Sequence, residues 1–495
     1  MTRIPAGSAY GNSSGCLTET AFLDTAGGER RPLPRQPDRL VNVMHQTATR
    51  FIAATRRHVY LVWLLLLALL ASANHFVNSI ADAHGTLVVA QDIALNHTVT
   101  LGGAYGEYFR KPDGSLSYQA FEFGPKRIEY YFPLGTPLLL APAVAIAHGL
   151  GYDALAPGGD AAGQRVAVTL LVFLILVVTY AYLRRYLAGR AGALAASGLI
   201  LFGTIVGPVV ATGLWSIDIE VLLIGTVMLM LDAEALQRPA AATALGAVLF
   251  LGYLVRPSFA LIILATFSTL MLRRQYAALL YSGAVSAALL LGFSQWSRHH
   301  FGLNLPPYYL GSRLSTADFA NAFLALLASP SRSVFVYSPV LLATFALFAA
   351  SLMGRRMRLR RDADVICLAL AGVGLFLLNA LFPKWTGGWS YGPRILTDMA
   401  YVGALLAFRI ADTMQPRPQR SLRWVRGLLV VGLFAGLQGI YNPLTFRWNA
   451  YPDIDAYPQL VWDWRYPQVL TTARLLRGKC ATESSELHIE HPICP

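Results

Sequence analysis

Apolar runs long enough to enter a bilayer recur along this chain, and that repetition constrains its fold more than any other feature. The first extends from Tyr60 to about Ile80. Later ones cover about Val166–Tyr182, Ala191–Thr212, Ile219–Leu231, Ala240–Val255, Phe259–Leu272, Ala277–Phe293, Val334–Leu352, Val365–Phe382, Leu396–Ala407 and Leu428–Ile440. A spanning helix needs about 20 apolar residues, so the shorter runs must borrow flanking turns. The runs do not alternate apolar and polar residues as barrel strands would. They predict an all-α polytopic membrane protein embedded in the lipid bilayer. Composition agrees, with 55% hydrophobic and 14% charged residues, against roughly 25% charged in soluble domains.

The net charge of +13 would suit a nucleic-acid partner, but the basic residues sit between apolar runs, where they set orientation instead. Nucleic acid is therefore excluded as a partner. Arg56 and Arg57 precede the first run and put the N-terminus in the cytoplasm. Four further basic clusters follow: Arg184/Arg185/Arg190, Arg273/Arg274, Arg355 to Arg361, and Arg417 to Arg426. The segment Phe132–Leu150 decides their side. It opens Phe132-Pro133-Leu134-Gly135-Thr136-Pro137 and contains Pro142. If it crosses the membrane, all four clusters fall outside. If it is re-entrant, all four join the N-terminus in the cytoplasm, as the positive-inside rule requires. The expectation is therefore about eleven transmembrane helices, with re-entrant or juxtamembrane helices in the first outer loop and the C-terminus outside.

Residues 1–57 are rich in Gly, Ser, Thr, Pro and Arg, without an apolar period, and read as a disordered cytoplasmic tail. Residues 58–442 form the transmembrane domain, with 81–165 as its first outer loop, and 443–495 form an outer tail. Met44 is an alternative start, and Ala71-Ser72-Ala73 resembles a signal-peptidase site. The apolar stretch continues through Phe76 and Ile80, which favours an uncleaved anchor. No internal repeat of the kind many transporters carry is evident.

Several polar residues stand out on the expected outer face. Asp82 lies just past the first run and precedes a helix-like stretch, Leu87 to Leu95, that contains Asp92. Near the low-dielectric boundary its pKa and basicity should rise. The ordinary alternative is a helix-end residue marking the interface. Asp218 and Glu220 interrupt the apolar stretch Trp215-Ser216-Ile217-Asp218-Ile219-Glu220. Carboxylates at a membrane helix end are costly and often functional. The loop Lys384-Trp385-Thr386-Gly387-Gly388-Trp389-Ser390-Tyr391-Gly392-Pro393-Arg394 combines backbone freedom at glycine, aromatic faces suited to an interface or a sugar, and two cations suited to phosphate. An aromatic belt is its plainer reading.

Arg256 joins two spans on the outer face. Arg298, Arg313 and Arg332 share an outer loop with Pro306-Pro307-Tyr308-Tyr309. A lipid phosphate or plain solvation would account for them. His299 and His300 read as surface residues. Cys480 and Cys494 lie in the outer tail, where an oxidising compartment permits a disulfide. Cys367 sits inside a span and should be inert. No cysteine or histidine spacing indicates a structural metal.

This layout resembles the C-type glycosyltransferases, membrane enzymes that use polyprenyl-phosphate sugars, such as protein O-mannosyltransferases and lipid A aminoarabinose transferases. The matching elements are Asp82, the long outer loop, Tyr130-Tyr131-Phe132-Pro133-Leu134-Gly135-Thr136-Pro137-Leu138-Leu139, Arg184-Arg185-Tyr186-Leu187-Ala188-Gly189-Arg190, and Asp218. The chain departs from that pattern in having a lone Asp82 instead of an Asp-Glu pair, and in having only a short tail after Tyr441. The resemblance implies a multi-pass protein of the bacterial inner membrane with a periplasmic C-terminus. It implies inverting transfer of a sugar from a polyprenyl-phosphate donor to a glycan, lipid or protein acceptor. Asp82 would be the general base, with Asp218 a second catalytic residue. Arg256, Lys384, Trp389, Tyr391, Arg394, Tyr131 and Glu220 would bind donor phosphate or sugar. No cofactor is expected, with a divalent cation at Asp218 left open. A flippase or a polymerase of lipid-linked glycans is the competing class.

Overall fold

The computed structural model describes residues 59–74, 82–124, 127–232, 234–310, 314–414 and 418–487. The expectations for residues 1–57, for Arg313 and for Cys494 lie outside the described residues. The chain is mostly helical. Four helices are long and apolar enough to cross a membrane: Gly159–Leu183, Tyr276–Phe301, Ala363–Ala380 and Pro418–Tyr441. Tyr276–Phe301 is the most outward of these, presenting Leu280 and Leu291 on an exposed apolar face.

In chain order the helices are α1 (Val59–Ser72), α2 (Thr86–Asn96), α3 (Gly103–Glu107), α4 (Gly135–Gly149), α5 (Gly159–Leu183), α6 (Arg190–Phe202), α7 (Val206–Val210), α8 (Ser216–Leu231), α9 (Pro239–Val255) and α10 (Ala260–Leu272). They continue as α11 (Tyr276–Phe301), α12 (Phe319–Ala328), α13 (Val334–Tyr337), α14 (Val340–Met353), α15 (Ala363–Ala380), α16 (Thr397–Thr413), α17 (Pro418–Tyr441), α18 (Leu444–Arg447) and α19 (Ala473–Glu486). The outer loop also holds a small antiparallel sheet that the all-α expectation missed. Its strands are β1 (Thr100–Leu101), β2 (Ala120–Glu122) and β3 (Ile128–Tyr130), in the order β1-β3-β2. Strands of two or three residues are too short to show a period of two in sequence.

Two apolar runs expected to be continuous are broken. Ala191–Thr212 divides into α6 and α7 around Gly203-Thr204-Ile205, and Val334–Leu352 divides into α13 and α14 at Ser338-Pro339. The breaks meet, because Ser338 Oγ accepts the Ile205 amide at 3.0 Å. Helix α17 closes tightly against the first break where glycines face it. A Cβ at Gly436 would lie 1.8 Å from the Phe202 carbonyl oxygen, and one at Gly432 2.0 Å from that of Gly203. Such small-residue spacing lets membrane helices approach backbone to backbone.

Two polar layers bracket the apolar body. Helix α8 carries Asp218 and Glu220 in its first turns and is capped by Asp232, and α16 carries Asp398 in its first turn and Arg409 in its last turns. At the far end, Arg273 pairs with Asp364 at 2.5 Å, Arg185 with Asp232 at 3.0 Å, and Tyr186 donates to Asp232 at 2.6 Å. At about 1.5 Å per residue, α8 separates Asp218 from Asp232, and so the two layers, by roughly 21 Å. The N-terminal end of α4 lies beside the Asp82 layer. Gly135 abuts the Leu254–Val255 backbone beside Arg256. The chain leaving α4 enters α5 at Asp160, which accepts the Gly85 amide.

Candidate functional site

The near layer is assembled from four distant segments. Asp82 begins the turn that leads into α2, and its Oδ2 accepts a hydrogen bond from Arg394 Nη2 at 3.3 Å, across 312 residues. Tyr118 of the outer loop also hydrogen-bonds Asp82. The Asp82 side chain is 43% exposed, not sequestered from solvent, and pairs with Arg394.

Arg394 is the hub. Besides Asp82 it donates to the Gly387 carbonyl at 3.2 Å, and its guanidinium lies 4.0 Å from the centroid of the Trp215 ring. A cation against an indole face contributes about 0.5–2 kcal/mol, more as water is excluded. Trp215 opens α8, and its amide donates to Asp218 Oδ2 at 2.9 Å. The second Asp218 oxygen is buried and has no hydrogen-bond partner among the described residues. Two residues further, Glu220 accepts from Arg256 Nη1 at 3.3 Å and from Ser258 Oγ at 3.0 Å. Burial disfavours the Arg256 charge, but Glu220 and Asp398 outweigh it and hold Arg256 above its ordinary value. Asp398 is fully buried, with one oxygen on the Met399 amide at 2.7 Å and the other without a hydrogen-bond partner among the described residues.

Asp82, Asp218, Glu220, Arg256 and Arg394 therefore share one neighbourhood. Of the other proposed binding residues, Tyr391 borders it, lining a cavity with Trp215 and Arg394. Trp389 donates to Asp453 at 3.0 Å, and Tyr391 is buried with its hydroxyl on the Ala435 carbonyl at 2.6 Å. Both fix the loop. Tyr131 packs edge-on against Phe121, Phe132 and Tyr308 in an aromatic cluster. Lys384 is exposed, and its carbonyl accepts the Gly387 amide at 3.0 Å.

The Thr386–Arg394 loop is held by the outer tail. Gln468 Oε1 accepts from the Gly392 amide at 2.8 Å and from Arg332 Nη1 at 2.6 Å, while its Nε2 donates to Ser390 and Thr445 carbonyls at 3.0 and 2.7 Å. Arg332 Nε donates to the Thr386 carbonyl and Nη2 to Asn449, both at 2.6 Å. This overturns the reading of Arg332 as a solvated or phosphate-binding cation. It is fully buried, and burial pushes its pKa down to about 10. It tolerates burial because neutral acceptors satisfy it and Trp448 faces it at 5.5 Å. His300 is likewise no simple surface residue, since its Nε2 lies 3.1 Å from Glu129. Asp92, which had no expected role, is buried in α2 and accepts from Asn96 at 2.7 Å, with burial pushing its carboxyl up. In the tail Cys480 is disulfide-bonded, while Cys367 is a buried free thiol.

Sequence reasoning missed Asp398, Tyr118, Asn449, Gln468 and Asp160. Asp398 carried the same signal as Asp218, a carboxylate at the mouth of an apolar helix. Gln468 and Asn449 carried none, because a polar residue in an outer tail is unremarkable until its burial is known. Among the described residues no group of three His, Cys, Asp or Glu side chains is placed to hold a metal ion.

No family model, curated protein or solved structure matches the chain. The described architecture is that of a helical membrane protein, with a charged layer joining Asp82 to Arg394.

Proposed function

We propose that the chain is an inner-membrane glycosyltransferase of about eleven spans, with its N-terminus cytoplasmic and its C-terminus periplasmic. It transfers a sugar from a polyprenyl-phosphate donor to a glycan, lipid or protein acceptor on the outer face. The acceptor oxygen attacks the anomeric carbon and its proton passes to the Asp82 carboxylate. The bond from the anomeric carbon to the phosphate oxygen breaks, and polyprenyl phosphate leaves with the electron pair. Arg394 and Arg256 face the developing phosphate charge, where fixed cations in a poorly solvated site lower the barrier most. Approach opposite to the leaving group inverts the anomeric centre.

The single observation carrying this reading is the Asp82–Arg394 contact flanked by Trp215 and Asp218. It puts a partly accessible base, a cation and an aromatic face side by side. Asp82→Asn keeps the size of the side chain and removes the basic oxygen. It should lower transfer from a polyprenyl-phosphate sugar pool by about 10²–10⁴-fold at unchanged protein level. Asp113→Asn, on an exposed turn, should transfer normally. Full activity in Asp82→Asn would reject its role as base.

A further inference from the structure

The turn bearing Asp82 is not fixed by its own residues alone: the Thr86 amide donates to the Ala83 carbonyl at 3.1 Å, and the rest of its hold comes from α5. Helix α2 begins at Thr86 behind Gly85, whose φ is +76°. A Cβ there would lie 2.4 Å from the Phe109 ring, so the position that normally supplies a capping side chain cannot carry one. The first amides of a helix nevertheless need acceptors. The Leu87 amide, and that of Gly85 just before the helix, receive theirs from Asp160, in the first turn of α5. Asp160 Oδ2 accepts the Gly85 amide at 2.9 Å and Oδ1 the Leu87 amide at 3.2 Å. Gln164, one turn further along α5, donates to Asp160 at 2.8 Å and to the Ala83 carbonyl at 2.7 Å. Tyr108 also hydrogen-bonds the Asp160 carboxylate.

We propose that Asp160, together with Gln164, is the positioning residue that sets where Asp82 stands relative to Arg394, an inference that rests on the reading of Asp82 as the base. The chemistry explains the choice of an acid. Asp160 is 3% exposed, a costly place for a carboxylate unless it is fully hydrogen-bonded. An ionised carboxylate accepts about four hydrogen bonds, which lets one side chain hold two backbone amides, Gln164 and Tyr108 together. Asparagine has one acceptor oxygen and would turn an N–H toward an amide donor. The grip closes on both sides of the turn, on the Ala83 carbonyl and the Gly85 amide. Asp82 is the residue immediately before it. The start of α5 therefore dictates the reach of Asp82 toward Arg394.

The test measures two things on the full-length protein in detergent or nanodiscs. The first is hydrogen exchange at Gly85 and Leu87. The second is transfer kinetics with a radiolabelled polyprenyl-phosphate sugar pool as donor. Asp160→Asn should speed exchange at both amides and lower kcat by about 10–100-fold, the effect of misplacing a catalytic group by about 1 Å. KM for the donor should stay within about two-fold, because Asp160 touches no donor-binding cation. Combined with Asp82→Asn it should cost nothing more, since a positioning residue has no work once its target is gone. Gln164→Leu, which leaves the carboxylate in place, should give a milder version of the same pattern and serves if Asp160→Asn fails to insert. Unchanged exchange would overturn the grip. Faster exchange with normal kcat, or a further loss on top of Asp82→Asn, would overturn the positioning role. Full activity in Asp82→Asn would instead remove the base, while the exchange result would still decide whether Asp160 holds the turn.

Discussion

Gln468→Ala isolates the device that holds the Arg394 loop. Gln468 is fully buried and joins the tail to Ser390, Gly392, Arg332 and Thr445 through its one side chain. Ser390 keeps a second donor in Asn449 at 2.9 Å, and Arg332 Nη1 keeps the Ser331 carbonyl at 2.8 Å. The Gly392 amide and the Thr445 carbonyl lose the bonds that Gln468 supplied. At about 1–3 kcal/mol for each of the two buried groups left unpaired, plus about 1.5–3 kcal/mol for the lost charge-assisted bond to Arg332, the local cost is about 3–9 kcal/mol. Water entering the vacated volume would recover part of it. The apolar contacts of the bundle are untouched, so the loop should open before the helices unfold. The lower figure corresponds to exchange at Gly392 accelerated on the order of 100-fold, at 1.4 kcal/mol per factor of ten. Hydrogen exchange of residues 386–394, with thermal melting alongside, is the assay. Sugar transfer should fall with the opening, because Arg394 ends this loop. Exchange at Gly392 within about three-fold of wild type would refute the hub, since even one lost buried bond of about 1 kcal/mol should show.

Two further outcomes follow from the same structure. A reporter active only outside the cytoplasm should work when fused after Gly392 and fail after Arg358; activity after Arg358 would reverse the orientation. In the tail, Lys479 and Glu483 form a pair at 2.9 Å with both side chains fully buried. Burial pushes Glu483 up to about 7, with Lys479 offsetting part of the effect. The raised value means that docking of α19 is strongest below the ordinary carboxyl range and weakens as pH rises through about 7. Amide protection in α19 should be higher at about pH 6 than at about pH 8, and Glu483→Gln should flatten that difference. Equal protection at both pH values in the wild-type chain would contradict it.

Much of the frame was legible because membrane helices write their burial directly into sequence. Helices α5, α8, α9, α10, α11, α15, α16 and α17 all fall on expected apolar runs. Their ends were less legible. Helix α11 extends eight residues past Phe293, through Arg298 and His300, because a helix leaving the apolar phase need not stop there. The breaks at Gly203–Ile205 and at Ser338–Pro339 were hidden inside apolar runs, where polarity gives no cue and only mutual packing selects the kink. At the site, Asp82, Asp218, Glu220, Arg256 and Arg394 were legible one by one, since a charge at a helix mouth is expensive. Their supports were not. Asp160 and Gln468 resemble ordinary loop polars, and what distinguishes them is burial against backbone groups 75 and 76 residues away. Trp389 and Tyr391 show a second role that sequence did not reveal, since each also holds the loop, through Asp453 and the Ala435 carbonyl.

The most direct test of the account reconstitutes the purified chain in liposomes that carry a radiolabelled polyprenyl-phosphate sugar pool in the leaflet matching the outer face, with an envelope extract as acceptor source. The account predicts stoichiometric release of polyprenyl phosphate as label enters the acceptor with inverted anomeric configuration, and loss of both signals in Asp82→Asn. Movement of intact labelled lipid across the bilayer, with no polyprenyl phosphate released, would contradict it and assign the chain to lipid transport.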